Sequence, residues 1–249
     1  PFIPHAHSTP LGMVDLDKAY KTPRPVFDSS FRASIDAFAI NDWTDKDNEP
    51  SVAFAQSYGK YLVWTWNVRI SYPDEEIYAL DNDMASGFRH LKYHPNLIAM
   101  HTYVVFGILF MSTGQTFGDT GSPGNFEAIP LARQQYARHL WHRETLLQEA
   151  APFMPPINIA APPDTATIEC FTRANADSLN KGVFNELGHR KAPTFDHHVD
   201  DLMSADVRAH LHQTIAASIL SLYEVLGYPT DYTPDPLSRE KFVAEHTHR

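Results

Sequence analysis

The stretch that decides the fold is Tyr78-Ala79-Leu80-Asp81-Asn82-Asp83-Met84-Ala85-Ser86-Gly87-Phe88-Arg89. Ile77 to Leu80 form a short apolar run, which predicts a strand, and the cluster Asp81 to Asp83 follows at its end. A polar strand end is common and needs no function. An aromatic residue, Phe88, stands five positions after Asp83, and this spacing becomes informative only beside two further clusters.

A second acidic cluster lies far along the chain, in Phe195-Asp196-His197-His198-Val199-Asp200-Asp201-Leu202-Met203. The adjacent carboxylates Asp200 and Asp201 stand between an apolar-leaning segment and a helix. This arrangement predicts a tight hairpin with acidic side chains at its tip. Asp-Asp pairs are also common in solvated turns, so this cluster taken alone favours the structural interpretation.

A glycine-rich turn, Phe117-Gly118-Asp119-Thr120-Gly121-Ser122-Pro123-Gly124-Asn125-Phe126, is the third cluster. Glycine lets a backbone approach a base or a sugar closely, and Pro123 is acceptable in the first turn of a following helix. The spacing is not that of a P-loop or a dinucleotide fingerprint. The turn alone therefore identifies no ligand.

Carboxylates on separate secondary-structure elements are the ligand set that nucleotidyl transfer requires. Nucleotidyl transfer uses them to hold two Mg²⁺ ions, one activating the attacking 3′ hydroxyl and the other neutralising the leaving phosphates. Asp83, Asp200 and Asp201 would supply the carboxylates.

The three clusters together resemble the palm motifs of reverse transcriptases, in order and in residue detail. The family's first palm motif is an Asp followed five residues later by Phe or Tyr, as in Asp83 and Phe88. Its second is matched throughout by FGDTGSPGNF, which begins at Phe117. Its third is an aromatic residue, any residue, then Asp-Asp; here it is HVDD, with His198 in the aromatic position.

A fourth similarity lies upstream, where RPVFDSS begins at Arg24. It looks like the fingers motif in which an Arg is followed four residues later by Asp. The resemblance extends over roughly Asp17 to Gly227. Four ordered motifs are much more specific than any one of them.

The resemblance implies that Asp83, Asp200 and Asp201 are catalytic and bind two Mg²⁺ or Mn²⁺ ions. Asp81 is a rival for Asp83, but the offset to Phe88 favours Asp83.

The resemblance also implies roles around the nucleotide. Phe88 would exclude ribonucleotides by contact with the 2′ position, Phe117 and Gly118 would line the nucleotide site, and Arg24 would meet the triphosphate. His198, which replaces the usual Tyr, would contact the primer end. Lys18 or Lys21 would assist in the fingers, and the sequence does not decide between them.

The fold implied is an α+β palm-and-fingers polymerase fold, with an antiparallel sheet backed by helices. We expect a fingers-like region at residues 1–75 and a palm-like region at 76–249, forming one reverse transcriptase-like unit. An insertion is expected at about 151–190, where prolines begin to break regular structure. Thumb and ribonuclease H segments are expected to be absent.

The activity implied is that of an RNA-directed DNA polymerase fragment that extends a primer on an RNA or DNA template with deoxynucleoside triphosphates. A chain that starts at Pro1 rather than Met is expected to be part of a longer polyprotein. Its single cysteine, Cys170, cannot form an internal disulfide, which favours a reducing compartment. We therefore expect an intracellular location, cytoplasmic or nuclear, and not secretion.

The charge balance opposes this interpretation. The chain has 20 Lys and Arg against 30 Asp and Glu, a formal net charge of −10 with its 14 histidines neutral. A negative surface opposes non-specific attraction to phosphate backbones. Missing basic segments such as a thumb would explain the balance.

Two alternatives stay open. The chain could be a catalytically inactive retroelement-derived remnant or binding module. It could also be a metal-dependent hydrolase, in which His197 and His198 join Asp200 and Asp201, with His90 and His94 adding an i, i+4 pair. That spacing binds metal only on a helix, and a proline directly after His94 favours a turn.

Four segments carry predictions of secondary structure. Ser51 to Ile70 is either a helix running into a strand or one buried helix. Val104 to Met111, eight apolar residues where a bilayer span needs roughly 20, predicts buried strands and no membrane. Asn125 to Ala150 predicts a core-packed helix. A last helix should span Val207 to Leu226, capped by Ser204 or Asp206 and stopped by Gly227.

Overall fold

The computed structural model describes residues 8–14, 24–45, 47–48, 52, 54–155 and 182–246. The chain divides into two compact units that interleave along the sequence. The first unit is Pro1–Val52 with Ser86–Glu127, and the second is Ala53–Ala85 with Ala128–Arg249. The structure is mixed, with antiparallel sheets and helices, which agrees with the α+β class predicted from the sequence.

The described residues form eight strands and five α-helices. The strands are β1 (Leu11–Val14), β2 (Arg24–Phe27), β3 (Ile77–Asp83), β4 (Thr102–Val105), β5 (Ile108–Met111), β6 (Asp196–His198), β7 (Asp201–Val207) and β8 (Val243–His246). The α-helices are α1 (Phe54–Ser71), α2 (Ser122–Phe126), α3 (Ala128–Leu140), α4 (Leu146–Ala150) and α5 (Arg208–Leu226). Short 3₁₀ helices occur at Ile40–Asp42, Gly87–His90, Pro95–Met100, Ala151–Phe153 and Arg239–Lys241.

The second unit is built on a four-stranded antiparallel sheet with the order β6-β7-β3-β8. The predicted strand at Ile77 to Leu80 is present, but it continues through Asp83. It extends because β3 is paired on both sides, with Asp83 opposite Asp201 and Asp81 opposite Val243. The acidic cluster therefore lies inside a strand, on residues whose side chains alternate between the two faces.

Helices pack on both faces of this sheet. On one face, Asn82 reaches Ser218 of α5 at 3.1 Å. On the other face, Ile77 and Val207 pack in a buried cluster with Trp64 of α1. Because side chains alternate along a strand, Asp81 and Asp83 share the face of Ile77. The sheet is central, and the acidic residues lie toward one end of the face that α1 covers.

The α1 segment is one helix, which decides between the two predicted alternatives for Ser51 to Ile70. The prediction that this helix is buried is only half right. Trp64 and Val68 are buried, whereas Leu62 and Trp66 are exposed. A helix that packs one stripe against a sheet leaves its opposite stripe in solvent, whatever residues that stripe carries.

The first unit contains two separate two-stranded sheets, β1-β2 and β4-β5. Strands were correctly predicted within Val104 to Met111, but their burial was not. Every residue of β5 is exposed, and Phe106 in the connecting turn is 99% exposed. The uncharged sequence indicates a preference for burial, but it cannot supply a layer to pack against.

The predicted helix at Asn125 to Ala150 is wrong as one element, because the structure breaks it into α2, α3 and α4. The first break has a covalent cause. Pro130 has no backbone N–H and so cannot donate to the carbonyl of Phe126, which a continuous helix would require. The second break follows Leu140, whose carbonyl accepts a hydrogen bond from the N–H of Arg143 at 2.8 Å in a turn.

The predicted capping of the last helix is also wrong. Ser204 and Asp206 lie inside β7, and α5 begins only at Arg208. The strand extends to Val207 because that residue pairs with Ile77 of β3.

The predicted end of the last helix is confirmed. Helix α5 stops at Leu226, and Gly227 adopts a φ of 93° that favours glycine. No helix in the described part of the chain is long and apolar enough to cross a membrane. Most of the predicted insertion at about 151–190 lies outside the described residues, as do Lys18, Lys21 and Cys170.

Candidate metal centre

Three carboxylates meet at the end of β3. Strand pairing places Asp83 directly opposite Asp201, the first residue of β7. The β6-β7 hairpin predicted from the sequence is present, and Asp200 lies in its two-residue turn. The carbonyl of Asp200 accepts a hydrogen bond from the N–H of Met84 at 3.2 Å, which fixes the turn against β3.

The carboxylates are close enough to share a cation. One oxygen from each of Asp83, Asp200 and Asp201 lies within 4.8 Å of the other two. Asp83 is buried, and the other two are half-buried. Hard divalent ions take carboxylate oxygens as ligands. The prediction that these residues could hold a metal ion is therefore confirmed, and Asp81, the rival for Asp83, is not in the group.

Burial and mutual repulsion raise the pKa values of Asp200, Asp201 and the neighbouring Asp81. Burial, followed by the charge of Asp81, raises the pKa of Asp201 to about 7. Burial, followed by the charge of Asp83, raises the pKa of Asp200 and also that of Asp81. Carboxyls that resist ionisation without a cation are typical of a metal or catalytic site, although structural networks also produce such shifts.

One cation contacts the group directly. Lys241, in the 3₁₀ helix Arg239–Lys241, forms an ion pair with Oδ2 of Asp83. With the ammonium in place, the side chain of Asp83 is only 6% exposed, whereas that of Lys241 is 38% exposed.

A second cation, Arg133, lies on the face of the sheet opposite to the carboxylates. Arg133 of α3 is fully buried, and its guanidinium donates to the side-chain oxygen of Asn82 and to the carbonyl of Ser218. Burial lowers the pKa of Arg133 to about 9, while the charges of Asp83, Asp81 and Asp201 oppose that shift. Arg133 therefore compensates the acidic group from the opposite face, through the intervening strand.

The hairpin turn carries backbone strain beside the site. Val199, the residue before Asp200, has a φ of 56°. This left-handed conformation is rare for a β-branched residue. Strain of this kind is often found where a turn has to aim functional side chains.

Other predicted site residues lie in the first unit, where the structure brings two of them together. The rings of Phe88 and Phe117 meet edge to face at 4.9 Å between centroids. Gly118 has a φ of 101°, and a Cβ there would collide with the carbonyl of Phe27, so glycine is required for structure alone. Arg24 lies on β2, opposite Val14.

The remaining predicted residues are histidines. His198 ends β6 directly opposite Asp201, at the rim of the acidic group. His90 ends one 3₁₀ helix, and His94 precedes the next. The i, i+4 pair is therefore not on one helix. In the described part of the chain, no histidine belongs to a group of three or more possible metal ligands.

Sequence reasoning missed both cations. Lys241 is 158 positions from Asp83, in a segment without a motif, so no local signal indicates the pairing. Arg133 did leave a signal. It stands four residues after Ile129 and four before Ala137, both buried, so helical spacing places a charge on the buried face.

Comparison of the chain with models of known families, with curated proteins and with solved structures found no match.

Proposed function

We propose that this chain is an RNA-directed DNA polymerase of the palm-and-fingers type, which extends a primer by two-metal phosphoryl transfer. The convergence of Asp83, Asp200 and Asp201 supports the proposal most strongly. These carboxylates come from two elements far apart in sequence, and they are the residues on which the motif resemblance depends.

The chemistry follows from the ligand type. The carboxylates would hold two Mg²⁺ or Mn²⁺ ions, since both metals prefer oxygen ligands. When bound there, the ions would supply Lewis-acid activation of a primer 3′ hydroxyl and charge neutralisation for a leaving pyrophosphate. In the overall reaction, the 3′ oxygen gives up its proton to solvent and bonds to the α-phosphorus of a deoxynucleoside triphosphate, as the bond from that phosphorus to pyrophosphate breaks.

The remaining roles are part of the same proposal. Phe88 would select deoxynucleotides, Phe117 and Gly118 would line the nucleotide site, and Arg24 would contact the triphosphate. His198 would contact the primer end, a role that its place opposite Asp201 supports.

Primer extension tests the proposal. The full chain is incubated with a DNA primer on an RNA template, the four deoxynucleoside triphosphates and Mg²⁺ or Mn²⁺. Asp200→Asn keeps the shape of the side chain but removes its charge, and it should reduce incorporation by about 100-fold or more. Asp231→Asn, an exposed residue outside the site, is the matched control and should leave incorporation unchanged.

Other outcomes separate the alternatives. Equal incorporation by wild type and Asp200→Asn would contradict the catalytic assignment. No incorporation with either metal, by a folded chain that binds primer and template, would favour the binding module. Metal-dependent hydrolysis without nucleic acid, lost in His90→Ala, would favour the hydrolase.

A further inference from the structure

The ion pair between Lys241 and Asp83 involves one of the three carboxylates of the proposed metal site. The ammonium contacts Oδ2 of Asp83, the most buried of the three carboxylates. In the described residues, no other Lys or Arg forms an ion pair with Asp83, Asp200 or Asp201. Among these residues, Lys241 is therefore the cation in direct contact with the carboxylates when no metal is bound.

The backbone that carries Lys241 is fixed on both sides. Before it, Ser238 donates its N–H to the carbonyl of Asp83 at 3.0 Å, and Leu237 forms a bridge with Met84. After it, Val243 begins β8 and pairs with Asp81. The segment is thus held along β3, and the half-exposed side chain of Lys241 extends from it to the carboxylate of Asp83.

We infer that Lys241 is a built-in counter-cation that a divalent ion must displace from Asp83 before the site can be loaded. The inference rests on the proposed metal-binding function. The ammonium contacts Oδ2 of Asp83, and one oxygen of the same carboxylate lies within 4.8 Å of an oxygen of Asp200 and of Asp201, so a metal ion and an ammonium compete for the same carboxylate. Both are cations drawn by the same carboxylates, and their mutual repulsion at this distance opposes simultaneous binding.

The role has two opposite consequences. Without metal, the ammonium reduces repulsion among the carboxylates and so stabilises the empty site. With metal, the same charge weakens binding, because displacing it costs part of the binding free energy. Removing the charge should therefore destabilise the metal-free chain and tighten its hold on a divalent ion.

Equilibrium binding of Mn²⁺ to the full chain, followed by electron paramagnetic resonance of the free ion, tests the inference. Lys241→Met keeps most of the side-chain volume but removes the charge, and it should bind Mn²⁺ about 10-fold more tightly than wild type. Lys241→Arg keeps the charge and should stay within about twofold. Lys60→Met, an exposed position on α1, is the control for loss of one charge and should also stay within about twofold.

The outcomes distinguish this inference from the proposed function. Wild type and Lys241→Met could bind Mn²⁺ with equal affinity, and Asp200→Asn could abolish binding in each of them. That result would overturn the role of Lys241 and leave the metal site intact. No Mn²⁺ binding by wild type or by Lys241→Met would overturn both the role of Lys241 and the proposed metal site. A 10-fold gain in Lys241→Met that Asp200→Asn abolishes in the double variant supports both.

A measurement on the wild-type protein covers the case in which Lys241→Met does not fold. The ¹⁵Nζ resonance of Lys241, assigned by its absence from Lys241→Arg, is followed while Mg²⁺ is added. Displacement predicts a shift toward the position of solvent-exposed lysines as the ion binds. A resonance that does not move while Mg²⁺ saturates the site would overturn the inference.

Discussion

The two hairpins β6-β7 and β4-β5 have opposite combinations of chemistry and burial. The first carries Asp196, His197 and Asp201, yet Asp196 and His197 are buried. The second reads Thr-Tyr-Val-Val-Phe-Gly-Ile-Leu-Phe-Met without a single charge, yet its β5 strand is exposed throughout. Burial here follows from what packs against a strand and not from the polarity of its residues.

The reason lies in the neighbours of each hairpin. The β6-β7 hairpin belongs to a four-stranded sheet with helices on both faces, so its polar groups have to be matched by buried partners. Gln134 donates to Asp196 at 3.3 Å, and Arg190 forms an ion pair with Asp206 at 2.6 Å. The β4-β5 hairpin is a sheet of two strands. Exposed apolar area of this kind is uncommon unless it serves an interaction.

The largest effect is expected at Arg133, the buried cation on the opposite face of the sheet that contains the acidic hairpin. Arg133→Met should lower the free energy of unfolding by about 3 kcal/mol, since Asn82 and the carbonyl of Ser218 lose a partner and the carboxylates lose a compensating charge. Urea unfolding, followed by fluorescence of buried Trp64 and Trp141, measures the change.

The control Arg143→Met removes an exposed ion pair and should cost less than about 1 kcal/mol. Unchanged or increased stability would show that Arg133 is not a needed counter-charge.

Unfolding should also depend on pH through Asp201. A carboxyl whose pKa rises from 3.8 to about 7 on folding favours the folded state below 3.8, and this advantage is lost as the pH rises through 7. The metal-free chain should therefore lose about 2 kcal/mol between pH 4 and 8, a value discounted for the half-buried position of this carboxyl.

Urea unfolding with EDTA present at both pH values measures this loss. Asp201→Asn should reduce the dependence, with the part that comes from Asp200 and Asp81 remaining, whereas the exposed control Asp231→Asn should keep it in full. A chain whose stability is equal at both pH values would contradict the raised pKa.

These contrasts also show what sequence can predict. β3, the acidic hairpin and the end of α5 at Gly227 were predicted because alternation, turn residues and a helix stop are local signals. The contact of Lys241 and the exposure of β5 were not, because both depend on which distant segments pack against each strand, and no local signal gives that information. The three carboxylates were predicted only because a motif resemblance linked two distant clusters.

A smaller effect is expected at the turn of the acidic hairpin. Val199 is β-branched and has a φ of 56°, whereas Asn tolerates this conformation. Val199→Asn should therefore stabilise the second unit by about 1 kcal/mol, measured by the same urea unfolding. Val199→Ala, which keeps a Cβ without branching, should give less than half of that gain. A loss of stability in Val199→Asn would mean that the valine side chain contributes packing that exceeds its strain.

The smallest effect is expected at the corresponding turn of the exposed hairpin, where Phe106 has a φ of 50° and precedes Gly107 at 76°. Two successive positive φ values define the turn that favours Asn-Gly, so Phe106→Asn should stabilise β4-β5 by about 0.5 kcal/mol. Phenylalanine is not β-branched and therefore has less strain to release than Val199. Amide exchange of β4 residues measures this local gain, and Tyr103, within the same strand, is a suitable probe. Because Phe106 is almost fully exposed, its loss removes no core contact, so faster exchange would reveal a packing role for this ring.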